Sequence, residues 1–268
     1  LEVPEGVKLV IGRRLERVSE AARHALTAAA LVGSRFAVDL VEAGGEGKGD
    51  SLLDAFEEMQ RAGLIKPAPA ERDTQYGFSH ELIRHTLIGA LSIPRRQRWH
   101  LKVADAIERL YASRLDDHAA DLAYHLFQAG AVAETGRTVT ALLRAGEQAL
   151  KAAAFDEARA HVDRALSLEP QGVLHRADSH RIRCQAIRGK ARWTDAMPDG
   201  EAALRLYDEA GDGGHLALYY DLAEITAWTG HYAAAPDTAK RGVLAAGPNA
   251  VPDQARLAGL GAQCAYIL

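Results

Sequence analysis

Apolar residues recur along this chain at the three-and-four spacing of a single helix face, broken at intervals by glycine, proline and short polar runs. In residues 5 to 18, Val7, Val10, Ile11, Leu15 and Val18 fall on one stripe, which predicts a helix. Ser19 followed by Glu20 reads as an N-cap and an acid set against the helix dipole, so a second helix is expected to reach Val32 and end at Gly33. A short segment from Phe36 to Val41 follows. Asp50 or Ser51 is expected to cap a third helix, with Leu52, Leu53, Phe56 and Met59 inward and Gly63 as its C-cap. Residues 64–66 and 75–78 read as two short strands around a polar, proline-bearing tip. Three helices and a hairpin predict a winged-helix domain. Ser79 is then expected to cap a helix from His80 to about Leu91, and Pro94 to open a long amphipathic helix ending near Tyr111.

From Asp116 onward the pattern is purely helical. Residues 117–128 form one predicted helix, and three helix pairs follow: 138–152 with 155–168, 176–189 with 194–208, and 216–229 with 233–246. Residues 253–268 read as the first helix of a fourth pair. Each second helix begins with an aromatic just ahead of a small-residue ladder: Phe155-Asp156-Glu157-Ala158, Trp193-Thr194-Asp195-Ala196 and Tyr232-Ala233-Ala234-Ala235. The leading alanines at 158, 196 and 235 set a period of 38 and then 39 residues. A fixed period of that length means stacked helical hairpins, none able to bury its apolar face alone. Such stacks present long surfaces, so the default function is holding a partner.

Composition fits this picture. The 268 residues are 48% hydrophobic and 25% charged, and alanine rather than the 6% aromatics supplies the apolar fraction, which suits close helix packing. A formal net charge of −4 gives no global pull toward nucleic acid. Cys184 and Cys264 are too few for a disulfide framework or a metal site, and the eleven histidines include no His-x3-His pair, so no metal is expected. With no long apolar run and no secretory start, the expected home is the cytoplasm, without a membrane partner. The start without methionine and the apolar last residues lead us to expect a piece of something larger. The glycine run of residues 44–49 follows no strand and precedes no Lys-Ser/Thr pair, so it reads as a loop rather than a phosphate cradle. No nucleophile elbow is present either. The chain offers no catalytic residue.

Three charged clusters remain. The third helix carries Asp50, Asp54, Glu57 and Glu58 against Arg61, the wrong sign for a DNA-reading helix. Arg95, Arg96 and Arg98, with Trp99, His100 and Lys102, form the strongest basic-aromatic cluster. Cations at a helix start oppose the dipole, so the cluster is expected to be either solvated arginines around a core Trp99 or a docking surface. Arg181, Gln185 and Arg188 are expected on the inner face of one repeat, with Tyr220, Glu224 and Trp228 on that of the next. Guanidinium groups beside rings suit a carboxylate, a phosphate or an acidic peptide. An ordinary solvated helix face is the competing reading.

The hairpins resemble tetratricopeptide repeats. Leu142, Gly146, Ala158, Val162, Ala165 and Pro170 fall at that family's large and small positions; the second unit departs at Arg183 and Gly200, and the third at Gly242. The first half carries a second resemblance through Val3-Pro4-Glu5-Gly6-Val7, Ile11-Gly12-Arg13-Arg14-Leu15, Phe78-Ser79-His80-Glu81-Leu82-Ile83-Arg84 and Ala123-Tyr124-His125. These segments look like the region that follows the nucleotide-binding core in STAND ATPases, the signal-transduction ATPases of multidomain regulators. The resemblance implies an all-α fold with a small β-hairpin wing. Residues 1–112 would form a winged-helix domain with linking helices, and residues 113–268 a tetratricopeptide-like right-handed α-solenoid with a truncated last repeat. It implies a non-catalytic regulatory fragment of a transcriptional or signalling regulator. The solenoid would sense a protein, peptide or small-molecule effector, and the arm would couple it to a nucleotide-binding core in the same polypeptide. His80 and Arg84 would then meet ADP or ATP bound by that core, while this fragment holds no cofactor of its own and Arg95, Arg96 and Arg98 dock the core. A free-standing peptide-binding scaffold is the alternative; direct DNA binding ranks last.

Overall fold

The computed structural model of the chain describes residues 5–44, 49–69, 75–212, 215–231, 233–245 and 251–267. Val3, Pro4, most of the glycine run, the hairpin tip, Tyr232 and the segment containing Pro248 lie outside the described residues. The chain forms two compact units, residues 1–133 and 134–268. The fold is a stack of tetratricopeptide-like helical hairpins preceded by helices around a small antiparallel sheet.

In the first unit, α1 (Glu5–Leu15) and α2 (Glu20–Val32) follow the predicted spacing, although Val10 is exposed rather than inward. Ser19 caps α2 as expected, accepting from the Ala22 amide at 3.1 Å. A strand then appears where only a short segment was expected: β1 (Arg35–Ala37), followed by α3 (Val38–Ala43). The next helix, α4 (Asp50–Arg61), starts from Gly49, so neither Asp50 nor Ser51 is its cap, and Leu53 points to solvent. Its end is a Schellman turn as predicted. Gly63 takes φ 65°, and the amides of Gly63 and Leu64 reach back to Gln60 and Met59. Strands β2 (Ile65–Ala68) and β3 (Gln75–Phe78) form the hairpin, and β1 pairs with the far side of β3, giving the order β1-β3-β2. Pro67 is tolerated because β2 lies at an edge. Phe36, Phe56, Tyr76 and Phe78 pack ring against ring at 5.1–6.0 Å under α2 and α4.

Helix α5 (Glu81–Gly89) corrects the expected cap. The Ser79 amide is drawn to the Leu64 carbonyl at 3.0 Å, so His80 becomes the N-cap residue with extended backbone. Helix α6 (Ile93–Leu110) starts at Ser92-Ile93-Pro94, and a 3₁₀ segment (Ala112–His118) leads into α7 (Ala119–Ala129). These residues were expected to begin the repeats; instead α7 packs on α6 and belongs to the first unit.

The second unit consists of the hairpins α8 (Thr135–Lys151) with α9 (Phe155–Ser167), α10 (Val173–Gly189) with α11 (Trp193–Ala210), and α12 (Leu216–Trp228) with α13 (Ala235–Ala245), followed by α14 (Val251–Ile267). All three turns within hairpins are built alike. Ala153, Ala191 and Gly230 adopt φ 56°, 56° and 85°, each just past the end of a first helix. At each turn the next amide reaches five residues back into the helix: Ala154 to Ala149, Arg192 to Ile187 and His231 to Thr226, at 2.8–3.3 Å. The left-handed residue sits five places before each leading alanine. The period seen in the sequence is thus a repeated Schellman turn. Ala158, Ala196 and Ala235 are fully buried, as are Leu142, Val162 and Ala165 of the first hairpin. Gly200 and Gly242 stand where larger groups were expected because another helix presses in: a Cβ on Gly200 would meet the Leu222 side chain of the following hairpin at 2.5 Å, and one on Gly242 the Tyr219 Cβ of its own hairpin at 2.7 Å.

Candidate functional site

The first helices of successive hairpins share one polar face, and its groups are joined to each other. Arg181 of α10 donates to Glu147 of α8 at 2.6 Å and to the Tyr207 hydroxyl of α11 at 3.1 Å; that hydroxyl in turn donates to Asp178 at 2.6 Å. Gln185 donates to Asp221 of α12 at 2.9 Å, and Arg188 bridges Asp221 and Glu224. Tyr220 receives the Arg256 guanidinium of α14 over its ring at 4.0 Å. The three bonds Glu147–Arg181, Gln185–Asp221 and Arg188–Glu224 span 34, 36 and 36 residues, so each rung links one repeat to the next. Burial raises the Asp221 pKa despite the bond from Gln185 and the charge of Arg188. The Arg181 pKa is raised: burial works against its charge, but Tyr207, Glu147 and Asp178 outweigh it.

The structure therefore brings Arg181, Gln185, Arg188, Tyr220 and Glu224 onto one surface and mates them there. Trp228 behaves differently. It is 65% exposed and stacks on Trp193 at 5.7 Å with planes 16° apart. Beside Trp193 lies a cleft of about 410 Å³ floored by Leu150, Phe155 and Gly189, with Gln185 and Arg188 on its rim. Phe155 and Trp193 owe their shared position to the repeated turn, which sets an aromatic two residues after the left-handed one.

In the first unit His80 is exposed and its side chain caps nothing, while Arg84, four residues on, is mostly covered. Arg84 donates to the Ala30 carbonyl at 2.9 Å and to Glu81 at 2.7 Å, so it fastens α5 to α2. The acidic face of α4 is also partly committed: Glu58 accepts from the Ser19 amide at 2.8 Å and hydroxyl at 2.6 Å, and these two bonds lower its pKa.

The basic cluster divides. Arg95 and Arg98 face a cleft of about 550 Å³ between α2 and α6, with Lys102 held 4.6 Å over the Trp99 ring. Arg96 instead lends its charge to the surroundings of His100. His100 is buried, and its Nδ1 lies 2.9 Å from the Nδ1 of His125 on α7, with Tyr124 edge-on to both rings. Burial lowers both pKa values, to about 4 for His100 and about 3 for His125, with Arg84 adding to each. A bond between like nitrogens needs opposite tautomers, one ring donating and one accepting.

Among the described residues, no group of three or more His, Cys, Asp or Glu is placed to hold a metal ion, and no helix is long and apolar enough to cross a membrane. No protein-family model matches the chain. The chain is 28% identical over 223 residues to an uncharacterized protein of Rhizobium meliloti (strain 1021), a match covering 82% of this chain and 21% of that protein. It thus spans about a fifth of the length of that curated relative. Among solved structures it is similar, with a TM-score of 0.46 and 10% identity, to a signal transduction ATPase with numerous domains (STAND) protein with a tetratricopeptide repeat sensor from Pyrococcus horikoshii; the alignment covers 100% of this chain and 50% of that one.

The paired charges of the repeats carry the clearest lesson about the site. Glu147, Tyr207, Asp221 and Arg256 were not singled out from the sequence, yet each holds a residue that was. For Glu147 and Asp221 the signal is an opposite charge about one repeat length away.

Proposed function

We propose that this chain is the arm and sensor region of a STAND-type regulatory ATPase acting in the cytoplasm, with the nucleotide-binding core supplied outside these residues. The observation that carries the reading is the placement of Phe78-Ser79-His80-Glu81. The end of β3 delivers an exposed, uncommitted imidazole to the start of α5, directly after a helix, strand, helix, helix, hairpin order that we read as a winged helix. A side chain at a helix N-terminus meets anions where the dipole favours them. In this reading His80 contacts a nucleotide phosphate held by the core, and Arg84 positions α5 rather than touching the ligand. The chain has no Gly-x4-Gly-Lys-Ser/Thr loop of its own and turns over no nucleotide by itself.

The effector, a protein or peptide, is received on the Trp193–Trp228 rings and the adjoining cleft, where apolar surface is open. Arg181, Gln185 and Arg188 shape that face by joining its helices. For the effector to act it must prefer one arrangement of the arm over another. In the full-length protein His80→Ala is expected to speed ADP release, and Arg84→Ala to lower stability. An ADP affinity unchanged by His80→Ala removes the nucleotide role of the arm; effector binding unchanged by Trp228→Ala removes the ring platform.

A further inference from the structure

The cleft between α2 and the first half of α6 holds more positive charge than the protein neutralises. Arg95, Arg98 and Lys102 follow one another at three- and four-residue steps, a single stripe of α6. All three line the cleft, together with His24, Thr27, Leu91 and Trp99, and no acidic side chain lines it. Among the described residues neither Arg95 nor Arg98 is paired with a carboxylate, whereas Arg181, Arg183 and Arg188 of the repeats each are. Two of the three cations stand in the first two turns of an 18-residue helix whose first turn holds no acid, where their charge adds to the positive end of the dipole. Mutual repulsion of this kind lowers stability unless an anion relieves it.

We infer that this cleft is a binding site for a compact phosphate ligand, gripped by the Arg95 and Arg98 guanidinium groups and by the Lys102 ammonium. Two planar forks and a point charge match tetrahedral oxyanions carrying more than one negative charge. The Trp99 ring is covered on one side by Lys102, so the cleft offers charge rather than a stacking face. The cleft is open to solvent and offers about 550 Å³ between two helices, room for a small group but not for the broad surface of a duplex.

The test is isothermal titration of the 268-residue chain with inorganic pyrophosphate at low ionic strength. Binding is expected, weakened at least about tenfold by Arg95→Gln with Arg98→Gln and less by the paired lysine variants, which keep charge but lose the forks. Arg192→Gln, whose partner is Asp195, is expected to change nothing. A second variant needs no loss of charge: Thr27→Glu sets a carboxylate on the opposite wall and is expected both to abolish pyrophosphate binding and to raise the melting temperature. Equal affinity in wild type and the double glutamine variant overturns the site. So does heat with a duplex oligonucleotide but none with pyrophosphate.

Discussion

Arg183 grips Asp199 side-on, with Nε 2.9 Å from Oδ2 and Nη2 2.6 Å from Oδ1, and His180 adds a third bond to Oδ1 at 2.8 Å. The pair joins α10 to α11 at a position where a tetratricopeptide repeat carries a large apolar residue. Burial pushes the Asp199 pKa up, but the bonds from His180 and Arg183 outweigh it and hold the carboxyl below its usual range. Removing Asp199 leaves Arg183 only its longer, 3.4 Å contact with Asp163 in a partly buried place, and removing Arg183 leaves the Asp199 carboxylate to His180 alone. Asp199→Asn is expected to lower stability by about 3 kcal/mol. The combination Arg183→Met with Asp199→Leu is expected to recover most of that loss, because apolar groups of similar volume fill the same space. Urea denaturation at matched m-values checks both.

The repeated turn stores strain at two alanines. A left-handed non-glycine residue costs roughly 1–2 kcal/mol, and Ala153 and Ala191 both sit there. Ala153→Gly and Ala191→Gly are each expected to stabilise by about 0.5–1 kcal/mol, since glycine relieves the strain but gains freedom in the unfolded chain. Gly230→Ala, at the third copy, is expected to destabilise by a similar amount. Shifts of the denaturation midpoint read all three.

The buried imidazoles of His100 and His125 predict loss of stability in mild acid. Both titrate below their ordinary 6.5, at about 4 and about 3, so between these values the unfolded chain binds more protons than the folded one. The stability they contribute is complete above pH 6.5 and falls as pH drops toward 4, by on the order of a few kcal/mol. Their hydrogen bond also fails once both rings carry two protons. His125→Phe is expected to flatten the stability curve over that range while leaving it unchanged near pH 8 in slope. A mutant curve as steep as wild type would assign the acid sensitivity to other groups.

Close packing between helices should make helical glycines respond in opposite directions. Gly242→Ala brings a Cβ to 2.7 Å from the Tyr219 Cβ, which has no flexible end to move, and is expected to cost about 1–3 kcal/mol. Gly12→Ala in α1 meets nothing within 4 Å and is expected to stabilise by up to about 1 kcal/mol through helix propensity. Thermal unfolding of the two variants side by side distinguishes packing from propensity.

What could be read from the chain was what its local chemistry dictates. The helix start at Phe155, that of α11 to within one residue (Thr194 expected, Trp193 found), the strand at residues 75–78, the cap at Ser19 and the stop at Gly63 all follow from a few adjacent residues. Strand β1 was not legible because three residues, Arg35 to Ala37, are too few for an alternation and form a strand only against β3. His80 displaced Ser79 as the cap because the Ser79 amide is claimed by Leu64, 15 positions earlier in the chain. Glu134 escaped notice as a helix start, although its carboxylate takes the amides of Gly136 and Arg137 at 2.7 and 2.6 Å. Arg181 and Arg188 share a face with Tyr220 and Glu224, but acids that occupy the two arginines, Glu147, Asp221 and Glu224, lie on the neighbouring repeats. Residue type alone does not reveal whether such a charge is open or taken.

Because each rung on the shared face joins unlike groups, the hairpins are not interchangeable parts. Excising α10 and α11 would set Glu147 opposite Asp221 and Glu224, acid against acid, where Arg181 and Arg188 now stand between them. Duplicating or shuffling a unit meets the same obstacle. The order of these modules is written into their polar side chains, so the array can be lengthened or trimmed at an end but not edited in its middle without rewriting both neighbours.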